Sequence, residues 1–182
     1  MASRFLDFLN KSHDESLQKR IRKQVGGCPN RSDNVSTLPI LAIMTVPSTF
    51  VHASRDFERF LLDARDELGH ATTHQTWQSV LAVLVTFRAR LTPAQGLAFA
   101  DALPPLLAAM FLQDWDLGQP PKPFADRGVL AREAMAFCGD HSILPESGIA
   151  DVARALRRHV GGQAFERALA KLPPGAREFW AV

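Results

Sequence analysis

Apolar residues recur along most of this chain at the spacing of a helix, beginning near residue 53. In the first such segment they fall three or four positions apart, which places them on one side of a helix. Gly69 follows the segment and is a typical residue for a helix C-terminus. The apolar positions of this segment are Phe57, Phe60, Leu61, Ala64 and Leu68. The pattern contains no long strand-like alternation and predicts an all-α protein.

Two capping boxes mark where the next helices begin. In each, a threonine side chain caps the first turn, and a glutamine three residues later bonds back to it. The pairs are Thr72 with Gln75 and Thr92 with Gln95, and Pro93 suits the first position of the second helix. We expect that helix to reach residue 103. A short helix, 106–113, should then follow a Pro-Pro break.

The burial pattern of the second half repeats that of the first at a spacing of 69 residues. Residues 80–111 align with residues 149–180 without a gap, and both halves contain a Leu-Pro-Pro element, at 103–105 and 172–174. Identities are few, but apolar residues fall on apolar residues where a helix core needs them. Such periodicity indicates that one helical unit was used twice.

We therefore predict two tandem related helical units, 53–115 and 124–181, packed into one bundle that spans residues 51–182. The stretch 116–123 contains Gly118 and three prolines and is predicted to be the hinge between the units. The second unit should contain helices near Asp126–Cys138, Ser147–His159, Gln163–Leu172 and Gly175–Trp180.

Residues 1–50 are predicted to form a loosely attached, mobile N-terminal extension. The apolar run within it, 38–46, is too short to cross a bilayer, so no membrane association is expected. Met44 stands immediately before the regular helical pattern. Residues 1–44 are therefore open to a second interpretation, as an artefact of an upstream start codon.

Charge divides the chain at the same place. Residues 1–44 carry seven Lys or Arg against four Asp or Glu, whereas residues 45–182 carry fourteen against fifteen. The helical part is thus close to neutral, which argues against strong nonspecific binding to nucleic acid. The two cysteines, Cys28 and Cys138, have no metal-type spacing and are typical of reduced thiols in a cytoplasmic protein.

Three stretches carry a resemblance to a known family. They are Arg-Leu-Thr-Pro-Ala-Gln at 90–95, Ala-Asp-Ala-Leu-Pro-Pro-Leu-Leu at 100–107 leading to Trp115, and Leu-Pro-Pro-Gly-Ala-Arg-Glu-Phe-Trp at 172–180. Through them, residues 54–180 resemble the bacterial family named domain of unknown function 2267. The resemblance implies a small helical repeat domain and carries over no catalytic or binding residue.

Few residues suggest chemistry. His70 and His74 are four apart, but the Thr72 cap lies between them, so they do not share the helical face that a zinc pair needs. Cys138 is followed closely by Asp140 and His141, yet it ends an amphipathic helix and is more typical of a small buried side chain. We therefore predict no metal site and no cofactor, with His70 and His74 as the weak metal candidates.

One basic patch offers a binding hypothesis. Arg154, Arg157 and Arg158 lie at positions i, i+3 and i+4 of one predicted helix. They are typical of a solvated helix end, where cations favour the helix dipole. The acidic cluster Asp63, Asp66 and Glu67 ends the first helix and offers this patch a partner, in the other unit or in another subunit. Trp115 closes the first unit and is a further weak candidate for partner binding.

The absence of any convergent polar constellation in the sequence favours a non-enzymatic interaction or scaffold module, cytoplasmic, acting on a protein partner or by self-association. The alternative is a small nucleic-acid-binding regulator that uses Arg154, Arg157, Arg158 and the basic N-terminal arm, although nucleic acid is the less favoured partner. An enzyme or metal protein using the histidines, Asp140 or His141 is the third hypothesis.

Overall fold

The computed structural model describes residues 47–138 and 144–182. Within those residues the chain forms helices and no strand, as the all-α prediction required. The expected extension, apart from its last residues, and the candidates Cys28, Asp140 and His141 lie outside the described residues. The helices are α1 (Ser48–Val51), α2 (Ala53–Leu68), α3 (Thr73–Arg88), α4 (Pro93–Ala100), α5 (Pro105–Leu112), α6 (Arg127–Phe137), α7 (Gly148–Val160), α8 (Gly162–Leu169) and α9 (Pro174–Phe179).

The helix ends follow the local signals in the sequence. Both predicted capping boxes are present: the Thr72 and Thr92 hydroxyls accept hydrogen bonds from the backbone N–H groups of Gln75 and Gln95, each at 3.3 Å. Gly69 ends α2 with φ at 68°, the left-handed conformation that glycine adopts without strain.

Two boundaries differ from the prediction for one reason. Helix α4 ends at Ala100 rather than Leu103, because the chain tightens there into turns whose N–H groups bond three residues back, from Ala102 to Phe99 and from Leu103 to Ala100. Helix α8 ends at Leu169 with the same tightening, in which Leu172 bonds to Leu169. In both places the turn leads directly into the Leu-Pro-Pro element. Helix α1 was not predicted.

The two predicted units share one core of aromatic rings. The indole of Trp180 is fully buried, and its centre lies 5.2 Å from the ring of Phe87 and 5.8 Å from that of Phe165. Phe99 and Phe179 complete the cluster around it. Since Phe87 and Phe99 precede the predicted hinge and the other rings follow it, the halves are parts of one packed body.

Helix positions agree with the 69-residue spacing. Helices α4 and α8 begin and end 69 residues apart, and α5 and α9 begin 69 residues apart. Leu103 and Leu172 are buried alike, at 8% and 9% exposure. A shared origin of the two units remains a prediction, because equal spacing of elements does not establish that their folds superpose.

The segment predicted as a hinge is exposed but anchored. Lys122 donates its backbone N–H to the carbonyl of Ala89 at 2.8 Å and places its ammonium 2.7 Å from Oε1 of Glu133. The buried guanidinium of Arg90 pairs with the other carboxylate oxygen of Glu133 and also donates to the carbonyl of Thr86. Glu133 therefore fastens the connector to α3 and α6.

Candidate functional site

The predicted basic patch meets the predicted acidic cluster inside the chain. Helices α2 and α7 pack together with their charged residues in register. Arg154 Nε lies 2.6 Å from Glu67 Oε2, and Arg158 Nη1 lies 2.8 Å from Glu67 Oε1. His159 Nε2 lies 2.8 Å from Asp63 Oδ2. We call Asp63, Glu67, Arg154, Arg158 and His159 the charged seam. Of the two partners offered by the sequence, another subunit or the other unit, the structure shows the second.

Not all of the acidic cluster takes part in the charged seam. Asp66 instead pairs with its neighbour Arg65 at 2.8 Å and is largely exposed. Exposed pairs between adjacent residues contribute little to stability. Asp66 is therefore outside the contact between α2 and α7.

The charged seam perturbs its own titration. Hydrogen bonds from Arg154 and Arg158 hold the pKa of Glu67 below its ordinary value of 4.5, although partial burial acts in the opposite direction. The same contact with Glu67 raises the pKa of Arg154. Arg154 also pairs with the buried carboxylate of Asp151, which accepts a 2.8 Å hydrogen bond from Ser147. The carboxylates stay ionised at neutral pH and neutralise the cations beside them.

Arg157, the third arginine of the patch, is engaged elsewhere. Its guanidinium donates to the carbonyl of Trp180 at 2.6 Å and to Glu166 at 2.9 Å, and it lies 5.1 Å from the centre of the Phe165 ring. All three predicted arginines therefore have partners within the chain. Their charges serve contacts between helices.

Trp115 has a comparable place in the first unit. The guanidinium of Arg88 lies 5.5 Å from the Trp115 ring centre and donates to the carbonyls of Phe111 and Gln113 at 2.5 and 2.8 Å. Burial lowers the pKa of Arg88, against the opposing charge of Asp114. The indole of Trp115 also covers Gly96, so this candidate partner residue is half-buried.

The histidine candidates are not brought together into a ligand set. His74 lies in the first turn of α3, where its ring stacks on Trp77 with centres 6.2 Å apart. His70 lies between α2 and α3. Among residues 47–138 and 144–182, no three His, Cys, Asp or Glu side chains are grouped so that they could hold a metal ion. Cys138 is half-buried at the end of α6.

A pocket of about 640 Å³ opens beside the charged seam, where the beginning of α2 meets the end of α7 and the α4–α5 turn. Its floor is apolar and its rim carries charges of both signs. The apolar lining includes Phe50, Phe57, Phe60, Leu103, Pro105 and Leu107, and the charged lining includes Asp56, Arg59, Asp101 and Arg158. Such a mixture of an apolar floor and a few polar groups is typical of binding sites.

The apolar surface continues out of the pocket. Phe50 is 63% exposed and Leu106, next to the lining residue Pro105, is 37% exposed. Phe57 is half-buried and stacks on Phe60 with ring centres 6.4 Å apart. Large apolar side chains grouped at the mouth of a pocket indicate an interaction site more strongly than single ones scattered over a surface.

The sequence profile of an uncharacterised conserved protein family, DUF2267, matches residues 57–179, which is more than half of the chain. The chain belongs to the DUF2267 family. The matched residues contain the charged seam and most of the pocket. A search of curated proteins finds no match to this chain.

Sequence reasoning missed the pocket of this DUF2267 protein. Its lining comes from segments as far apart as Phe50, Asp101 and Val160, none of which belongs to a recognisable motif. The exposed Leu-Pro-Pro element was the one available signal, because it makes part of the wall. No helix among the described residues has the length and apolar character needed to span a membrane.

Proposed function

We propose that this DUF2267 protein is a non-enzymatic interaction module that binds another protein through the pocket between α2, α7 and the α4–α5 turn. The observation that carries the proposal is the open, apolar pocket with Phe50 and Leu106 exposed at its mouth. Exposing large apolar side chains beside a concavity is unfavourable unless a partner covers them.

The arrangement of charged side chains supports a binding role over catalysis. Catalytic groups converge on a space that a substrate can occupy. In the charged seam, by contrast, Glu67 and Arg154 are directed at each other at 2.6 Å, and His159 is directed at Asp63. These groups stabilise the contact between two helices.

The alternative of a nucleic-acid-binding regulator has less support. It needs Arg154, Arg157 and Arg158 to contact phosphates, and each already has a carboxylate or carbonyl partner in the chain. Phosphate binding would have to replace those contacts. A gel shift that weakens steeply with rising salt would favour this alternative.

Photo-cross-linking in the source cells tests the interaction proposal. A photoreactive phenylalanine analogue at Phe50, inside the pocket, is compared with one at Leu117, which is 61% exposed on the connector. We expect a discrete cross-linked protein from position 50 and none from position 117. Equal labelling at both positions, or labelling at neither, contradicts the proposal. A cross-link to a second copy of the chain identifies the interaction as self-association.

We further infer a cytoplasmic location, from the reduced-thiol pattern of Cys28 and Cys138. Fractionation of the source cells checks this, and recovery of the protein with the extracellular fraction would contradict it.

A further inference from the structure

We propose that the pocket recognises a peptide segment in which an aromatic or large aliphatic side chain stands next to a lysine or arginine. This specificity rests on the proposed function and adds the chemistry of the partner. It follows from the packing of the two Leu-Pro-Pro elements and from the balance of charge around the pocket.

The chain itself shows what covers a Leu-Pro-Pro element. In the second unit, the ring of Phe124 packs on the residue that follows Pro174, so closely that a Cβ on Gly175 would lie 2.5 Å from the Phe124 Cγ. Glycine is required there because the ring occupies the space of a side chain. An aromatic ring thus fits against a Leu-Pro-Pro element in this fold.

The equivalent element of the first unit has no such cover among the described residues. Leu103, Pro104 and Pro105 form a wall of the pocket, and Leu106, which stands where the second unit has Gly175, is 37% exposed. Phe57 and Phe60 lie across the pocket from this wall. An incoming ring would therefore contact proline on one side and aromatic rings on the other, an arrangement in which aromatic pairs are favourable.

Charge at the pocket selects a basic neighbour for that ring. Arg158 is neutralised by Glu67 at 2.8 Å and Asp63 at 3.9 Å, and His159 also contacts Asp63. Arg59 lies 3.7 Å from Asp56.

Asp101 has no ion-pair partner among the described residues. It caps the C-terminal end of α4, where backbone carbonyls add partial negative charge. The uncompensated charge of the pocket is therefore negative, and a lysine or arginine complements it.

Selection from a random peptide library tests the proposal with the full chain as bait. Selected peptides are synthesised, and their affinities are measured by fluorescence anisotropy. The first pair of variants, Asp101→Lys and Glu58→Lys, makes the same change of charge inside and outside the pocket. Glu58 is exposed on α2 and does not line the pocket.

A second pair, Phe50→Ala and Leu117→Ala, removes a comparable exposed apolar side chain inside and outside the pocket. All four positions are exposed, so the variants are expected to fold, and thermal melts check this.

We expect the selected peptides to share a large apolar residue beside Lys or Arg. Asp101→Lys and Phe50→Ala should each weaken their binding by about tenfold, which is the size of a moderate interface contact, while the control variants leave it unchanged. Selection of acidic peptides overturns the inference, and so does binding that both pairs of variants leave intact. In either case the protein still binds peptides, so the proposed function stands. Selection of no peptide at all counts against both.

Discussion

At the scale of single residues, Gly96 and Trp115 illustrate how a missing side chain shapes the first unit. A Cβ at position 96 would lie 2.2 Å from two atoms of the Trp115 ring, which also stacks on Arg88. We expect Gly96→Ala to destabilise the fold by about 1–3 kcal/mol, because the added methyl must displace the ring. Urea denaturation measures this.

The matched control for Gly96→Ala is the double variant with Trp115→Ala. Removing the indole opens the space, so alanine at position 96 should then be neutral or slightly stabilising in the helix, and the two substitutions should be strongly non-additive. Additive effects would show that the close approach of Trp115 does not determine the need for glycine.

Trp180 is the residue on which the aromatic core depends most. It is fully buried against Phe87, Phe99 and Phe165, as its apolar position in the repeat predicted. Trp180→Ala is expected to reduce the free energy of unfolding by about 3–5 kcal/mol, because the cavity cannot close. The measurement is again urea denaturation.

Trp180→Phe separates the size of the ring from its polar group. The indole N–H has no hydrogen-bond acceptor among the described residues, so phenylalanine loses volume but no hydrogen bond. Its cost should be less than half that of Trp180→Ala. A similar cost for both variants would mean that the N–H has a partner outside the described residues.

At the scale of elements, the two Leu-Pro-Pro turns allow a direct test of the predicted duplication. Leu103 and Leu172 each end a tightened turn after a short helix, and they are equally buried. Leu103→Ala and Leu172→Ala should each cost about 2–5 kcal/mol, and the two losses should be similar. Chemical denaturation of both variants gives the comparison. A large loss at one site with almost none at the other would count against equivalent positions.

The same elements show what the sequence can predict. The ends of α3 and α4 follow from Thr72, Thr92 and their glutamines, because capping is decided within one turn of chain. The early end of α4 was missed, since a tightened turn and a helix have the same apolar spacing over three residues. The pocket escaped prediction for a different reason: its walls are joined only by tertiary packing.

At the scale of the whole molecule, the charged seam should make stability depend on pH. Hydrogen bonds from Arg154 and Arg158 lower the pKa of Glu67 in the folded protein from its ordinary 4.5. A carboxylate with a lowered folded pKa contributes stability above its unfolded pKa and loses that contribution as pH falls through the folded value. Glu67→Gln should therefore be less stable than the wild type at pH 7 and approach it as the pH falls below about 4.5.

Urea denaturation between pH 3 and pH 7 checks this expectation, with Glu58→Gln as the control. Glu58 lies on the same helix without an ion pair among the described residues, so that variant should follow the wild-type curve. The comparison is necessary because the pKa of Glu133 is also lowered, by Lys122 and Arg90 against the larger opposing effect of burial. A constant gap between Glu67→Gln and the wild type over the whole range would contradict a role for ionised Glu67.

The sequence predicted the charged seam only in part. The acids at the end of α2 are unfavourable for their own helix dipole, which indicated a cationic partner elsewhere. That reasoning identified Asp63 and Glu67 correctly but included Asp66, because a helical spacing alone does not tell which side of α2 faces α7. His159 was not connected with Asp63 at all, since their contact joins residues 96 positions apart.

That separation has a consequence for the order in which the fold is acquired. Helix α2 packs on α3, its neighbour in the chain, and on α7, which is synthesised almost ninety residues later. Bringing distant segments together costs chain entropy that local helix pairs avoid, so the α2–α7 contact belongs to the later stages of folding. Until then the apolar side of α2, including Phe60 and Ala64, remains uncovered. A nascent chain at this stage is therefore the form most open to chaperones and to aggregation.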